Sequence, residues 1–161
     1  MDGPARRKCK IKPELMSYHH NIYLEVFLRI LLGILFFAQG YDKVFNLGIK
    51  KVIDTFEYPV HLKHLPRFPL VFSAWFTSYA ELVGGFLLVV GFMKYYALYL
   101  LGIDLLIVCA SFSVLDAMWD MKHVFPRVVL LTTLMLLPSE WGVFSVDYAW
   151  SIIRFAKHLL S

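Results

Sequence analysis

Four apolar segments dominate this sequence and limit what it can fold into. They cover about residues 22–41, 70–92, 95–115 and 124–138, and the fourth is the shortest. A helix needs roughly 20 predominantly apolar residues to cross the hydrocarbon core of a bilayer. Hydrophobic residues make up 59% of the chain, well above the ~45–50% apolar share of soluble domains. The sequence therefore predicts an all-α fold, an integral membrane four-helix bundle.

The chain divides into three parts on this basis. A basic N-terminal tail covers 1–21, a transmembrane domain of four helices covers 22–144, and an amphipathic C-terminal helix covers 145–161. The second and third spans are separated by a turn as short as Lys94, which predicts an antiparallel hairpin. The long loop at 42–69 alternates apolar and charged residues, which predicts a short amphipathic segment at the membrane interface.

The C-terminal helix is expected to lie along the membrane surface. Ser145 is a residue type that favours the N-cap position. Beyond it, Ile152 and Ile153 fall on one face of a helix, whereas Arg154 and Lys157 fall on the other. Such a pattern is typical of helices that lie in the interface plane.

The distribution of basic residues predicts the orientation. A dense basic block precedes the first span and consists of Arg6, Arg7, Lys8, Lys10 and Lys12. Since cytoplasmic segments carry an excess of lysine and arginine, the N- and C-termini are both expected to be cytoplasmic. The same block is better explained by topology or lipid contact than by nucleic acid, so no nucleic-acid partner is predicted.

Several ionisable residues lie inside the predicted spans. In the first span, Glu25 and Arg29 are spaced i,i+4, so they can pair on one helix face while the arginine extends toward the headgroups. At 1.5 Å per residue, Arg29, Asp104 and Glu81 lie about 10, 14 and 16 Å from the cytoplasmic side. Ionisable groups inside a membrane are costly and mark functional candidates. The interpretation is an intramembrane polar pocket in which the two carboxylates outnumber the one arginine. A buried charge network that only fixes helix packing is the alternative.

Other polar residues give no metal site. Asp116, Asp120 and His123 could share a helical face, but charges at a bilayer boundary are ordinary. The two cysteines, Cys9 and Cys109, form no CxxC motif. No bound metal is therefore predicted.

The sequence resembles the DoxX family over about residues 25 to 147. Three stretches carry the resemblance: Arg29 to Lys43, with Gly33 and Gly40; SYAELVGGFLLVVGF at 78–92, with Glu81 and Gly84; and FSVD at 144–147. The positions that match the family pattern are Arg29, Gly40, Lys43, Glu81, Gly84, Ser145 and Asp147, and Asp104 is left unmatched.

The resemblance implies a compact four-helix membrane bundle, and it implies less about function. Family members include subunits of thiosulfate:quinone oxidoreductase, whereas related animal proteins act as assembly chaperones. The expectation is a small subunit of a bacterial inner membrane that docks a larger membrane complex and contacts the lipid bilayer. If the protein has a quinone-accessible pocket, the electrons would have to come from a partner. The protein would then be at most a subunit of a quinone-linked oxidoreductase, without a redox centre of its own. A non-catalytic structural or assembly subunit is the alternative.

Overall fold

The structure is a computed structural model that describes residues 5–62, 67–115, 121–138, 141–142 and 144–159. Within these ranges the chain is helical, with no strand. The helices are α1 (Ala5–Tyr41), α2 (Ile49–Leu62), α3 (Arg67–Val90), α4 (Lys94–Leu115), α5 (Met121–Leu136) and α6 (Val146–Leu159), and a π-helical segment, Asp42–Leu47, follows α1. The prediction of an all-α fold is confirmed.

Three of the described helical segments are long and apolar enough to cross a membrane: His19–Leu47, Arg67–Val90 and Lys94–Ser113. Their large apolar side chains point outward in many places; Phe27 is 61% exposed and Leu106 is 71% exposed. Exposed apolar surface on helices of membrane-spanning length is suited to contact with lipid, so the prediction of an integral membrane protein in contact with the bilayer is confirmed.

The fourth predicted span is shorter than the others. The apolar part of α5 is Val124–Leu136, which rises ~20 Å at 1.5 Å per residue, less than the ~30 Å of a hydrocarbon core. A full fourth crossing therefore stays a prediction. At the other end of the chain, α1 is continuous from Ala5 across residue 21, the predicted boundary between the basic tail and the first span.

The connections between the spans follow the sequence pattern. Helix α2 occupies the part of the long loop predicted to be amphipathic. Between α3 and α4 the chain turns within three residues, with Gly91 at φ 72° and Met93 at φ 50°. Glycine adopts a positive φ without steric cost, and the Gly91 and Phe92 amides both donate to the Leu87 carbonyl. The predicted antiparallel hairpin is therefore present.

Helices α1 and α3 pack together through glycines. A Cβ added at Gly85 would meet the backbone of Phe37, and one added at Gly40 would meet the backbone of Leu82. At Gly33 the nearest atoms would belong to Val89 and to the Gly85 carbonyl. Small residues at helix crossings allow backbones to approach closely inside a membrane. These glycines of α1 and α3 therefore serve helix packing within one chain.

The apolar core lies between α1, α3, α4 and α5. Leu32, Phe36, Leu88, Leu98 and Leu101 are completely buried. Leu131 and Leu134 bring α5 into the same cluster. This packing fixes the register of the four helices, and the register decides which of the buried charges meet.

Candidate functional site: two buried charge clusters

The structure does not bring Arg29, Glu81 and Asp104 into one layer. The Arg29 guanidinium donates to the Leu88 carbonyl near the end of α3, whereas Glu81 lies beside Gly40. Residues 29 and 40 are eleven apart in α1, which corresponds to about 16 Å along the helix. The depths estimated from the ends of the apolar runs were wrong because the glycine contacts, rather than the hydropathy boundaries, set the register of α1 against α3.

The first group of charges lies at the α3–α4 turn, and we call Glu25, Arg29 and Lys94 the hairpin-end cluster. Lys94 Nζ lies 2.7 Å from Glu25 Oε1, and Arg29 Nε lies 3.7 Å from the same oxygen. All three side chains are buried: Glu25 is 0% exposed, Arg29 2% and Lys94 6%. The i,i+4 pairing of Glu25 with Arg29 was predicted. The expected extension of Arg29 toward the headgroups was wrong, because the guanidinium is held inside the protein.

The hairpin-end cluster is connected to the segment that precedes α6. Arg29 Nη2 donates to the Phe144 carbonyl at 2.5 Å. The Asp147 carboxylate accepts hydrogen bonds from the Met93 amide at 2.9 Å and the Lys94 amide at 3.1 Å. A carboxylate at a helix N-terminus satisfies free amides and opposes the positive end of the helix dipole. Asp147 therefore caps α4, although it belongs to α6.

Gly91 and Ser145 complete this arrangement. A Cβ at Gly91 would collide with Arg29 Nη1, so only glycine leaves room for the guanidinium. The Ser145 hydroxyl accepts a hydrogen bond from the Tyr148 amide at 3.2 Å and thereby caps α6, as the sequence predicted. The Ser-x-Asp motif thus caps two different helices and attaches α6 to the hairpin.

The second group lies deeper in the helices, and we call Lys43, Glu81, Asp104 and Arg127 the mid-helix cluster. Lys43 Nζ lies 2.7 Å from Glu81 Oε2, and the lysine side chain is 18% exposed against 2% for the glutamate. Asp104 is 0% exposed, and neither carboxylate oxygen has a hydrogen-bond partner among the described residues. The positive charges of Lys43 and Arg127 act on both carboxylates.

Local structure explains how Lys43 and Arg127 reach this position. Lys43 belongs to the π-helical segment that follows α1, where the wider turn changes the direction of side chains relative to an α-helix. Arg127 is on the second turn of α5, with its guanidinium carbon 5.8 Å from the centre of the Phe36 ring. Both cations lie near the ends of helical segments, and their charges act on carboxylates at the middle of α3 and α4.

Helix α3 contributes Glu81 to the cluster, whereas its serine and threonine hydroxyls bond within their own helix. The Ser73 hydroxyl donates to the Pro69 carbonyl at 2.5 Å, and the Ser78 hydroxyl donates to the Ala74 carbonyl at 2.7 Å. The Thr77 hydroxyl is 3.5 Å from that same carbonyl. Hydroxyls that bond to their own helix need no other partner.

The structure places as many cations as carboxylates in each charged region, in contrast to the expected excess of carboxylates. In the mid-helix cluster, two cations accompany Glu81 and Asp104. At the hairpin end, Arg29 and Lys94 accompany Glu25 and Asp147. From the sequence, Lys94 is expected only in the turn between two spans, and Arg127 is not assigned to any site. Their positions near the ends of apolar runs do not show whether they belong to a buried site, because long basic side chains can extend either into the protein or into the headgroups.

The mid-helix cluster has unused hydrogen-bonding capacity. Asp104 offers two acceptor oxygens without partners among the described residues. A lysine ammonium carries three hydrogen-bond donors and an arginine guanidinium five. In the described part of the chain, the one ion pair made by Lys43 or Arg127 is the contact of Lys43 with Glu81. A molecule with both donor and acceptor groups could bridge these side chains.

The described residues contain no group of three potential metal-ligating side chains. Asp116 and Asp120, two of the three candidate metal ligands, lie outside the described residues, and so does the side chain of His123. The prediction that no metal is bound stays a prediction.

Comparison with known proteins gives one match. The family model described as DoxX matches residues 24–114, more than half of the chain. The matched region contains Arg29, Gly40, Lys43, Glu81 and Gly84, whereas the Ser-x-Asp motif lies beyond it. No curated protein and no solved structure matches significantly.

Proposed function

This chain belongs to the DoxX family, and we propose that it is a small membrane subunit that docks a larger membrane complex and binds a quinone head in the mid-helix cluster. The observation that carries the proposal is Asp104, which is 0% exposed with both oxygens unpartnered among the described residues. A buried carboxylate without hydrogen bonds is costly, so a bound partner for it is expected. Asp104, Glu81 and Arg29 were the predicted pocket; the proposed pocket retains the two acids and replaces Arg29 with Lys43 and Arg127.

The chemistry of a quinone fits these side chains. Quinone carbonyls accept hydrogen bonds, which Lys43 and Arg127 can donate. Quinol hydroxyls donate hydrogen bonds, which Asp104 can accept. Reduction of a quinone to a quinol takes up two electrons and two protons, so the electrons would come from a redox group of the partner complex. The carboxylates of Glu81 and Asp104 would hold protons beside the quinone oxygens.

The location belongs to the same proposal. The protein would lie in a bacterial inner membrane with both termini in the cytoplasm, an orientation supported by the basic block that precedes the first span. The hairpin-end cluster and α6 would then lie on the cytoplasmic side. Lys43 would be near the opposite side, where the π-helical segment ends.

The test is purification of the tagged protein in a mild detergent, followed by quantitative mass spectrometry of the quinones and proteins that elute with it. Substituting Asp104 by Asn removes the charge and keeps the shape. The matched control is Asp54→Asn, since Asp54 is an exposed aspartate on α2. Quinone enriched with the wild type and with Asp54→Asn, but not with Asp104→Asn, would support the pocket. Equal quinone recovery with all three proteins would contradict it.

A structural or assembly subunit is the second candidate, and the balance of charges in both clusters favours it. Paired cations and anions on different helices fix the helix register without any ligand. In this case Glu81→Gln should lower the amount of folded protein, because Lys43 would lose its partner, while the specific activity of any co-purified complex stays unchanged. Loss of that specific activity with normal folding would favour the quinone pocket.

A further inference from the structure

Most of helix α6 is exposed. Every side chain from Tyr148 to Lys157 is exposed, including the apolar residues Trp150 (60%) and Phe155 (69%). The start of α6 is nevertheless fixed, since Asp147 caps α4 and Ser145 caps α6 itself. Because this attachment is at the turn that ends α3 and begins α4, the helix starts at the level where two membrane spans reach the headgroups.

A groove runs along one face of α6. It has a volume of about 470 Å³ and is lined by Asp147, Trp150, Ser151, Arg154 and Phe155. Residues 147, 151 and 154 follow the i, i+4, i+7 spacing of one helical face. The groove therefore has a polar floor with an aromatic side chain on each side.

The groove contains one acid, Asp147, and one cation, Arg154, and no ion pair joins these two side chains. The Asp147 carboxylate is engaged with the Met93 and Lys94 amides. No ion pair joins Arg154 to an acid within the described part of the chain, and Ser151 uses its hydroxyl proton on the Tyr148 carbonyl. Ser151 can still accept a hydrogen bond, and the guanidinium donors of Arg154 can bind a ligand. An anion with hydroxyl groups beside it matches this set.

We propose that the α6 groove is a binding site for the headgroup of an anionic phospholipid. Arg154 binds the phosphate through paired hydrogen bonds, Ser151 accepts from a headgroup hydroxyl, and Trp150 and Phe155 contact the upper part of the acyl chains. Tryptophan suits this position because its ring is apolar and its N–H is polar. This site is independent of the quinone pocket, and it would give the protein a preference among lipids.

The test uses the full-length protein in mild-detergent micelles, titrated with brominated phosphatidylglycerol or brominated phosphatidylcholine. Bromine on the acyl chains quenches tryptophan fluorescence on contact, and the Trp150 signal is obtained by difference from Trp150→Phe. We expect quenching at lower concentrations of phosphatidylglycerol than of phosphatidylcholine. Equal quenching by both lipids would overturn the headgroup site, and so would the absence of Trp150 quenching by either.

Two substitutions separate a site from general attraction to a charged surface. Lys157→Gln removes one positive charge outside the groove, and should weaken phosphatidylglycerol binding about fivefold, as for any basic residue near an anionic surface. Arg154→Gln removes the same charge together with direct hydrogen bonds to phosphate, and should weaken binding by on the order of a further tenfold. Equal effects of the two substitutions would overturn the proposal.

Discussion

Replacing Gly85 with alanine is expected to destabilise the protein, because α1 leaves no room for a side chain there. The new Cβ would lie 2.8 Å from the Phe37 Cα and 2.9 Å from the Gly33 carbonyl oxygen, and closer still to the Phe37 amide nitrogen. Ordinary contact begins at 3.4 Å. All three atoms are backbone, so the strain cannot be relieved by rotating a side chain, and the two helices must move apart.

The magnitude follows from two opposing terms. Alanine is favoured over glycine in a helix by ~1 kcal/mol, whereas overpacking costs about 1–3 kcal/mol and more when nothing can rotate away. With the upper value for the overpacking cost, Gly85→Ala should lower the free energy of unfolding by about 2 kcal/mol. Gly102 in α4 provides the matched control, since its added Cβ would only meet Leu131 Cδ2 at 3.9 Å. Gly102→Ala should therefore be neutral or gain up to ~1 kcal/mol.

The free energies of unfolding can be compared by titrating each protein from a mild detergent into sodium dodecyl sulfate, with helicity and tryptophan fluorescence as signals. The two variants should differ by about 3 kcal/mol, which is roughly a hundredfold in the unfolding equilibrium. If Gly85→Ala is as stable as Gly102→Ala, the close packing of α1 against α3 is not what holds these helices together.

Two further changes test the contacts at the hairpin end. Lys94→Met should cost about 3 kcal/mol, because it leaves Glu25 buried with only the longer contact to Arg29. Adding Glu25→Gln should restore much of that loss in the same unfolding assay; a double variant no more stable than Lys94→Met would count against the pairing. Ser145→Ala should cost about 1 kcal/mol of local stability by removing the cap of α6, seen as faster hydrogen exchange of the Tyr148 amide. Unchanged exchange would show that the cap is not needed.

Much of the fold could be predicted from the sequence. The apolar runs predicted three spans that agree with α1, α3 and α4, and the short spacing around Lys94 predicted the hairpin. Amphipathic patterns were sufficient to indicate α2 and α6. These features depend on neighbouring residues and on the solvent around each segment, so local sequence is sufficient for them.

The candidate site was predictable only in part. Arg29, Glu81 and Asp104 could be identified as candidates because ionisable groups are rare in apolar runs. The residues that pair with them could not be identified from the sequence. Lys94 was interpreted as a turn residue, yet its ammonium is 2.7 Å from Glu25. Lys43 was noticed as a family position, and nothing in its local sequence connected it with Glu81.

By itself, the sequence determined that this protein is helical and lies in a membrane. Tertiary structure decided which charges pair, and so divided one expected layer into a hairpin-end cluster and a mid-helix cluster. The physical reason is one of scale. Hydropathy locates a span to within a few residues, each worth about 1.5 Å along the axis, whereas an ion pair requires atoms within about 4 Å. Direct contacts between helices, such as that of Gly85 with the Phe37 backbone, fix helix register to that accuracy.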